Sequence, residues 1–157
     1  MHTSINEVLK NLATYSGIAL GSYTALLVGA QAFQDLTTQK ITSQEQLDKI
    51  VDEEADKLGM DKRTLVAKFY AVGDKNYDRI HGARCFVEDF DFEEHTIPIK
   101  VVELKEGWGA RRGAVRHELY HLHKHMPLRK NPVAKFLRVF FYEEPTATLY
   151  AITGIKL

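Results

Sequence analysis

The sequence predicts an α+β domain, and three stretches of the chain carry that prediction. Residues 44–58 set apolar side chains at helical spacing, residues 85–101 alternate at strand spacing, and helical spacing returns from Ala110. Helix, strand and helix in 157 residues fit one domain with a single core. Apolar residues at 45% and charged residues at 27% place the chain among folded globular proteins rather than disordered ones. The 21 basic and 21 acidic side chains cancel, which argues against nucleic acid as a partner, since that ligand selects a basic face. Cys85 is the sole cysteine. It can form neither an internal disulfide nor a thiolate zinc site, so a reducing compartment fits, and His and carboxylates are the metal ligands to look for.

Residues 1–40 form the first unit, an N-terminal helical segment preceding a domain at 41–157. Asn11 to Gln34 runs for 24 residues without a charge, and about 20 residues suffice to cross a bilayer as a helix. Asn11, Thr14, Ser16, Ser22, Thr24, Gln31 and Gln34 dilute it. Gly17, Gly21, Ala25 and Gly29 recur at every fourth position, a ridge that lets a second helix approach closely. The segment is therefore expected either as a membrane anchor or as a helix packed through that ridge. The chain is accordingly expected to be cytoplasmic or membrane-associated through residues 11–34.

Ser43-Gln44-Glu45-Gln46 reads as a capping box that starts a helix. Leu47, Ile50, Val51, Ala55 and Leu58 give that helix its apolar stripe, and Gly59 ends it. The acidic run Asp52-Glu53-Glu54 reads as a solvated face. Asp61 is placed to cap a second helix through Leu65, Val66, Phe69 and Tyr70, ending near Gly73. After Gly82, Cys85-Phe86-Val87 with Phe90 and Phe92 suggests a strand, then a turn near Glu93-Glu94. Ile97, Ile99 and Val101 alternate with Pro98 and Lys100, a second strand. Pro98 cannot donate to a ladder, which places this strand at a sheet edge, open to an extended peptide.

Ala114, Val115, Leu119 and Leu122 build the next helix, which carries His117-Glu118-Leu119-Tyr120-His121. Histidines four apart share a helix face and can bind one zinc ion. Glu118 follows the first of them, where its carboxylate can take a proton from a metal-held water. By composition such a pattern arises by chance in about 2% of chains like this one, so a third ligand has to support it. A histidine six residues after His121, with a glycine three after it, would be the usual third-histidine arrangement; Pro127 and Lys124 stand there instead. His123 and His125 fall on other faces of the helix or beyond its end. A second helix, opened by Asn131-Pro132 and carrying Val133, Phe136, Leu137 and Phe140, leads to Glu143 and Glu144. From Glu144, Ala147 and Ala151 lie on the same face and would allow close approach, so Glu144 is preferred, with Glu143 the alternative. Pro145 interrupts the helix at this joint. Tyr150, His81, His95, Arg111 and Arg112 are candidates to stabilise an oxyanion, His95 foremost.

His117-Glu118-Leu119-Tyr120-His121 followed by Glu144-Pro145-Thr146-Ala147-Thr148-Leu149-Tyr150-Ala151 resembles the minimal gluzincins, the ImmA/IrrE type in particular. In that family the third-ligand helix runs Glu, two residues, Ala, two residues, an aromatic, Ala. The resemblance spans residues 96–152. It implies a zincin-like fold, with a small mixed sheet whose exposed edge strand lies beside the active helix and a glutamate helix. It further implies Zn2+ held by His117, His121 and Glu144, Glu118 as general base, and hydrolysis of a protein or peptide substrate. Pro145 and the N-terminal stretch depart from the family pattern. The alternative reading is a non-catalytic zinc-binding or membrane-associated interaction domain that retains the metal helix.

Overall fold

The computed structural model describes residues 5–92, 95–124 and 138–155. Four helices stand among them: α1 (Ile5–Thr37), α2 (Gln44–Leu58), α3 (Arg112–His123) and α4 (Glu144–Thr153). Strands β1 (Leu65–Tyr70), β2 (Ala83–Phe92) and β3 (His95–Lys105) form a mixed sheet in the order β1-β3-β2. A π-helical turn, Val139–Glu143, leads into α4. The architecture is thus a small α+β fold. The expected turn at Glu93-Glu94 and helix start at Asn131-Pro132, with Val133, Phe136, Leu137, His125 and Pro127, lie outside the described residues.

The start of α2 follows from its cap. The Ser43 hydroxyl accepts from the Gln46 N–H, and the Gln46 side chain accepts from the N–H of Thr42, one residue before the expected partner. Gly59, at φ 70°, closes the helix in the left-handed conformation that glycine adopts without a Cβ clash. Leu47, Ile50, Val51, Ala55 and Leu58 are all buried as α2 packs on α3 and β1, joining Val102, Leu104, Val115, Leu119 and Tyr150 in one core. The acidic run is not wholly a solvated face. Asp52 is exposed, but Glu54 lies on the core side of the helix and is 0% exposed.

The second helix expected after Asp61 is a strand. Asp61 caps only the short 3-10 turn Lys62–Thr64, its carboxylate accepting from the Arg63 N–H. Leu65–Tyr70 then pairs in parallel with Lys100–Lys105 of β3. Six residues are too few to gain much as an isolated helix, whereas the sheet offers each of them a partner.

The strand expected at the edge is the central one. Lys105 donates to the Gly82 carbonyl and Glu106 to the Tyr70 carbonyl, so successive residues of β3 point alternately to β2 and to β1. Even-numbered residues face β1, and β1 begins only opposite Lys100. Pro98 therefore turns its missing N–H to the side where β3 runs on beyond β1, and there it forfeits no bond. The free edge nearest α3 belongs to β2. Its even residues pair with β3, so Ala83, Cys85 and Val87 turn their backbone N–H and C=O outward.

Helix α1 reaches the domain through Tyr23, Leu27, Ala30 and Gln34, one face at i, i+4, i+7 and i+11. Tyr23 donates to the Phe140 carbonyl at 2.6 Å and packs its ring against Phe140. Gln34 lies directly over Gly113 of α3. Gly17, Gly21, Ala25 and Gly29 occupy the opposite face and are exposed, so the small-residue ridge is not the packing surface expected of it. No helix among the described residues is long and apolar enough to cross a membrane.

Candidate metal centre

Two helices build the site. Ala114, Val115, Leu119 and Leu122 turn α3 into the core, which leaves His117 and His121 half-buried on its flank. Helix α4 lies against α3 through Ala147 and Ala151, both fully buried, and through the Tyr120 and Tyr150 rings, 5.4 Å apart. The Arg116 guanidinium reaches the Ala151 carbonyl at 3.4 Å and sits over Gly154, the left-handed cap of α4. These contacts fix how the two helices meet.

Pro145 sets where Glu144 points. Having no N–H, it cannot continue the α-helical ladder to Phe141. The chain widens instead into the π turn, in which Glu144 donates to the Val139 carbonyl five residues back, and α4 starts at Glu144 itself. The glutamate is carried on a helix joint, a common place for functional side chains. Its Oε2 lies 3.3 Å from His117 Nε2 and its Oε1 3.5 Å from His121 Nε2. The two Nε2 atoms are 3.1 Å apart. With Zn–ligand bonds of roughly 2.0–2.1 Å, the edge of a tetrahedron measures about 3.3 Å, and each of these separations, two of them to different oxygens of the carboxylate, is close to that length. Glu143 is turned away and pairs with Arg138 at 2.8 Å.

The three side chains are coupled electrostatically. His117 and His121 hydrogen-bond to the Glu144 carboxyl and hold it well below the usual carboxylate range. Burial works against charge on His121, but Glu144, with Glu118 and Glu143 nearby, outweighs it and raises the imidazole above its ordinary value. His117 Nδ1 is buried and has no hydrogen-bond partner among the described residues.

Cys85 is a neighbour of the site that its sequence position did not betray. Its thiol, on β2, hydrogen-bonds to the Glu118 carboxylate, and burial together with that negative charge pushes its pKa up. The alternation of Cys85-Phe86-Val87 puts Cys85 and Val87 on one sheet face, but only the packing of β2 on α3 reveals that this face meets Glu118.

Glu54 was missed as well, read as surface when it is an interior hub. It pairs with Lys57, Arg112 and Arg116 and accepts from the Tyr150 hydroxyl. Tyr150 and Arg112 are thereby occupied away from the histidines. Arg111 holds the carbonyls of Thr38 and Trp108. None of these three expected oxyanion stabilisers faces the cluster. His81 lies further along the groove, and His95 begins β3, with its side chain outside the described residues.

Clefts flank the triad along the free edge of β2. One of 240 Å³ lies between Cys85–Val87, His121 and the π turn, where Tyr142 and Glu143 line it. Another of 230 Å³ runs past His117 and Glu118 to Ala83 and Gly109. No family model, curated protein or solved structure matches the chain.

Proposed function

We propose that the chain is a zinc-dependent peptidase of the minimal gluzincin type, with a zincin-like arrangement of sheet, active helix and glutamate helix. The observation that carries this reading is the convergence of His117, His121 and Glu144, whose ligand atoms all lie within 4.8 Å of one another. Zinc held there would lower the pKa of a bound water towards about 7 and polarise the substrate carbonyl. Glu118, next to His117 on α3, takes the water's proton on its carboxylate and returns it to the departing amine nitrogen as the peptide bond breaks. The outward N–H and C=O groups of Ala83, Cys85 and Val87 offer a ladder for an extended substrate peptide beside the triad.

Metal analysis and proteolysis assays test the reading together. Purified protein is expected to hold about one zinc per chain, and His117→Ala to lose it. Glu118→Gln is expected to keep zinc and lose cleavage. A wild-type chain that binds no zinc would sink the proposal. Zinc binding without cleavage of any protein or peptide would favour a non-catalytic metal domain.

A further inference from the structure

The groove beside β2 continues beyond the triad. The cleft at His117 and Glu118 shares Gly82 and Gly109 with a further cleft of 360 Å³, lined by His81, Lys105, Gly107 and Trp108. At its end stands Trp108, 67% exposed and the sole tryptophan of the chain. An indole held in water at this level costs hydrophobic free energy unless something covers it in use.

The loop that presents Trp108 is tightly held. Gly107, at φ 151°, makes a turn that a side chain would strain. Ala110 donates to the Gly107 carbonyl and Arg111 to the Gly109 carbonyl. The Arg111 side chain donates to the Trp108 carbonyl at 3.3 Å and to the Thr38 carbonyl at 2.9 Å. Its guanidinium sits 5.6 Å from the centre of the indole ring, so the ring is stacked on a cation whose own position is fixed from α1's end of the chain. A rigid exposed aromatic ring loses little conformational entropy on binding, which is why such rings anchor peptide contacts.

We infer that Trp108 and His81 form an aromatic subsite for the substrate, taking an aromatic or large aliphatic side chain three or four residues from the bond attacked. The spacing follows from β2. Cys85 lies opposite Glu118, and β2 is extended back from it only to Ala83, about 7 Å at 3.3 Å per residue, before Gly82, at φ 74°, turns the chain into the neighbouring cleft at His81. A peptide laid along this edge passes Ala83 after two residues and enters the His81–Trp108 cleft one or two residues later. The inference rests on the peptidase reading above and names the substrate that reading leaves open, an extended segment with one large apolar anchor.

The test uses blocked decapeptides of Ala, Ser and Gly carrying a single Phe moved position by position. Zinc-loaded wild-type protein is expected to cut three or four residues from the Phe, with kcat/KM about tenfold above that for a peptide with Ala in its place. Trp108→Ala is expected to lose that preference. In zinc-loaded Glu118→Gln, titration with the Phe peptides is expected to shift the Trp108 emission to the blue in a saturable way. Cut positions that ignore the Phe, or an emission spectrum unmoved by the peptides, would overturn the subsite. The emission reports docking without any bond being broken. An emission shift with no cleavage in the wild type therefore supports the subsite while removing the peptidase reading, and cleavage indifferent to Phe does the reverse.

Discussion

Glu54 on α2 and Tyr150 on α4, 96 residues apart in the chain, meet in the interior, where the tyrosine hydroxyl donates to Glu54 Oε2 at 3.1 Å. The same carboxylate pairs with Arg112 and Arg116 of α3. One buried anion thus ties together the two helices that carry His117, His121 and Glu144.

Removing that anion strands its cations. Glu54→Ala is expected to destabilise the fold by about 3 kcal/mol, the usual consequence of leaving buried charge unpaired, read as a lowered midpoint in thermal or urea unfolding. The acid limb of the stability profile should also change. Burial opposes ionisation of Glu54, but hydrogen bonds from Lys57 and Arg112 and the charges of Arg116 and Arg112 overcome it and lower its pKa below the ordinary 4.5. The unfolded chain then takes up the proton first. The contribution of Glu54 is complete above pH 4.5 and is lost as the pH falls through the folded value. Urea titrations of metal-free protein between about pH 7 and 3 should show a shallower acid loss in Glu54→Gln than in the wild type. Parallel profiles would remove Glu54 from that role.

The two neighbouring glutamates should separate cleanly in metal affinity. Glu144 faces both histidines, whereas Glu143 is held by Arg138. Glu144→Gln is expected to weaken zinc binding by more than about 100-fold, beyond the effect of losing an outer partner, and Glu143→Gln by far less. Competition with a chelating dye measures both. Equal losses would contradict the orientation of the helix joint.

Gln34 of α1 lies hard against Gly113 of α3. A Cβ there would run into the Cγ, Cδ and Nε2 atoms of Gln34. Gly113→Ala is expected to cost about 1–3 kcal/mol through overpacking, and Gln34→Ala in the same chain to recover much of it. A double-mutant cycle in urea reads the coupling, and strict additivity would show that the two residues do not touch.

Cys85 should be a slow thiol. Burial and the Glu118 charge disfavour its thiolate, so alkylation of the native protein near neutral pH is expected to lag well behind that of the unfolded chain. Glu118→Gln removes the nearby charge and should speed the reaction severalfold. Mass spectrometry follows the single cysteine directly, and an unchanged rate in the variant would break the Cys85–Glu118 contact.

Where local physics decides the outcome, the sequence is legible. The stripe of α2, its cap at Ser43 and its end at Gly59 depend on residues within a few positions of one another, and the expected boundaries coincide with the observed ones to within a residue. The i, i+4 spacing of His117 and His121 puts them on one face wherever the helix goes. Pro145 announced an interruption because its missing N–H acts within one turn, and the interruption is the π turn.

The remaining decisions belonged to partners far away in the chain. Leu65–Tyr70 has the apolar content of either a helix or a strand, and pairing with β3 across 35 residues selects the strand. Pro98 is tolerable in a central strand only because β1 stops short of it. Glu54 and Asp52 are acids two residues apart on one helix, and solvent takes one while Arg112, Arg116 and Tyr150 take the other. The sequence by itself determined the composition of the candidate cluster, two histidines and a glutamate with a carboxylate beside them. The tertiary structure alone decided which glutamate, which strand edge and which cysteine meet them, because each of those contacts depends on the packing of α2 and α3 on the sheet and of α4 on α3 rather than on spacing along the chain.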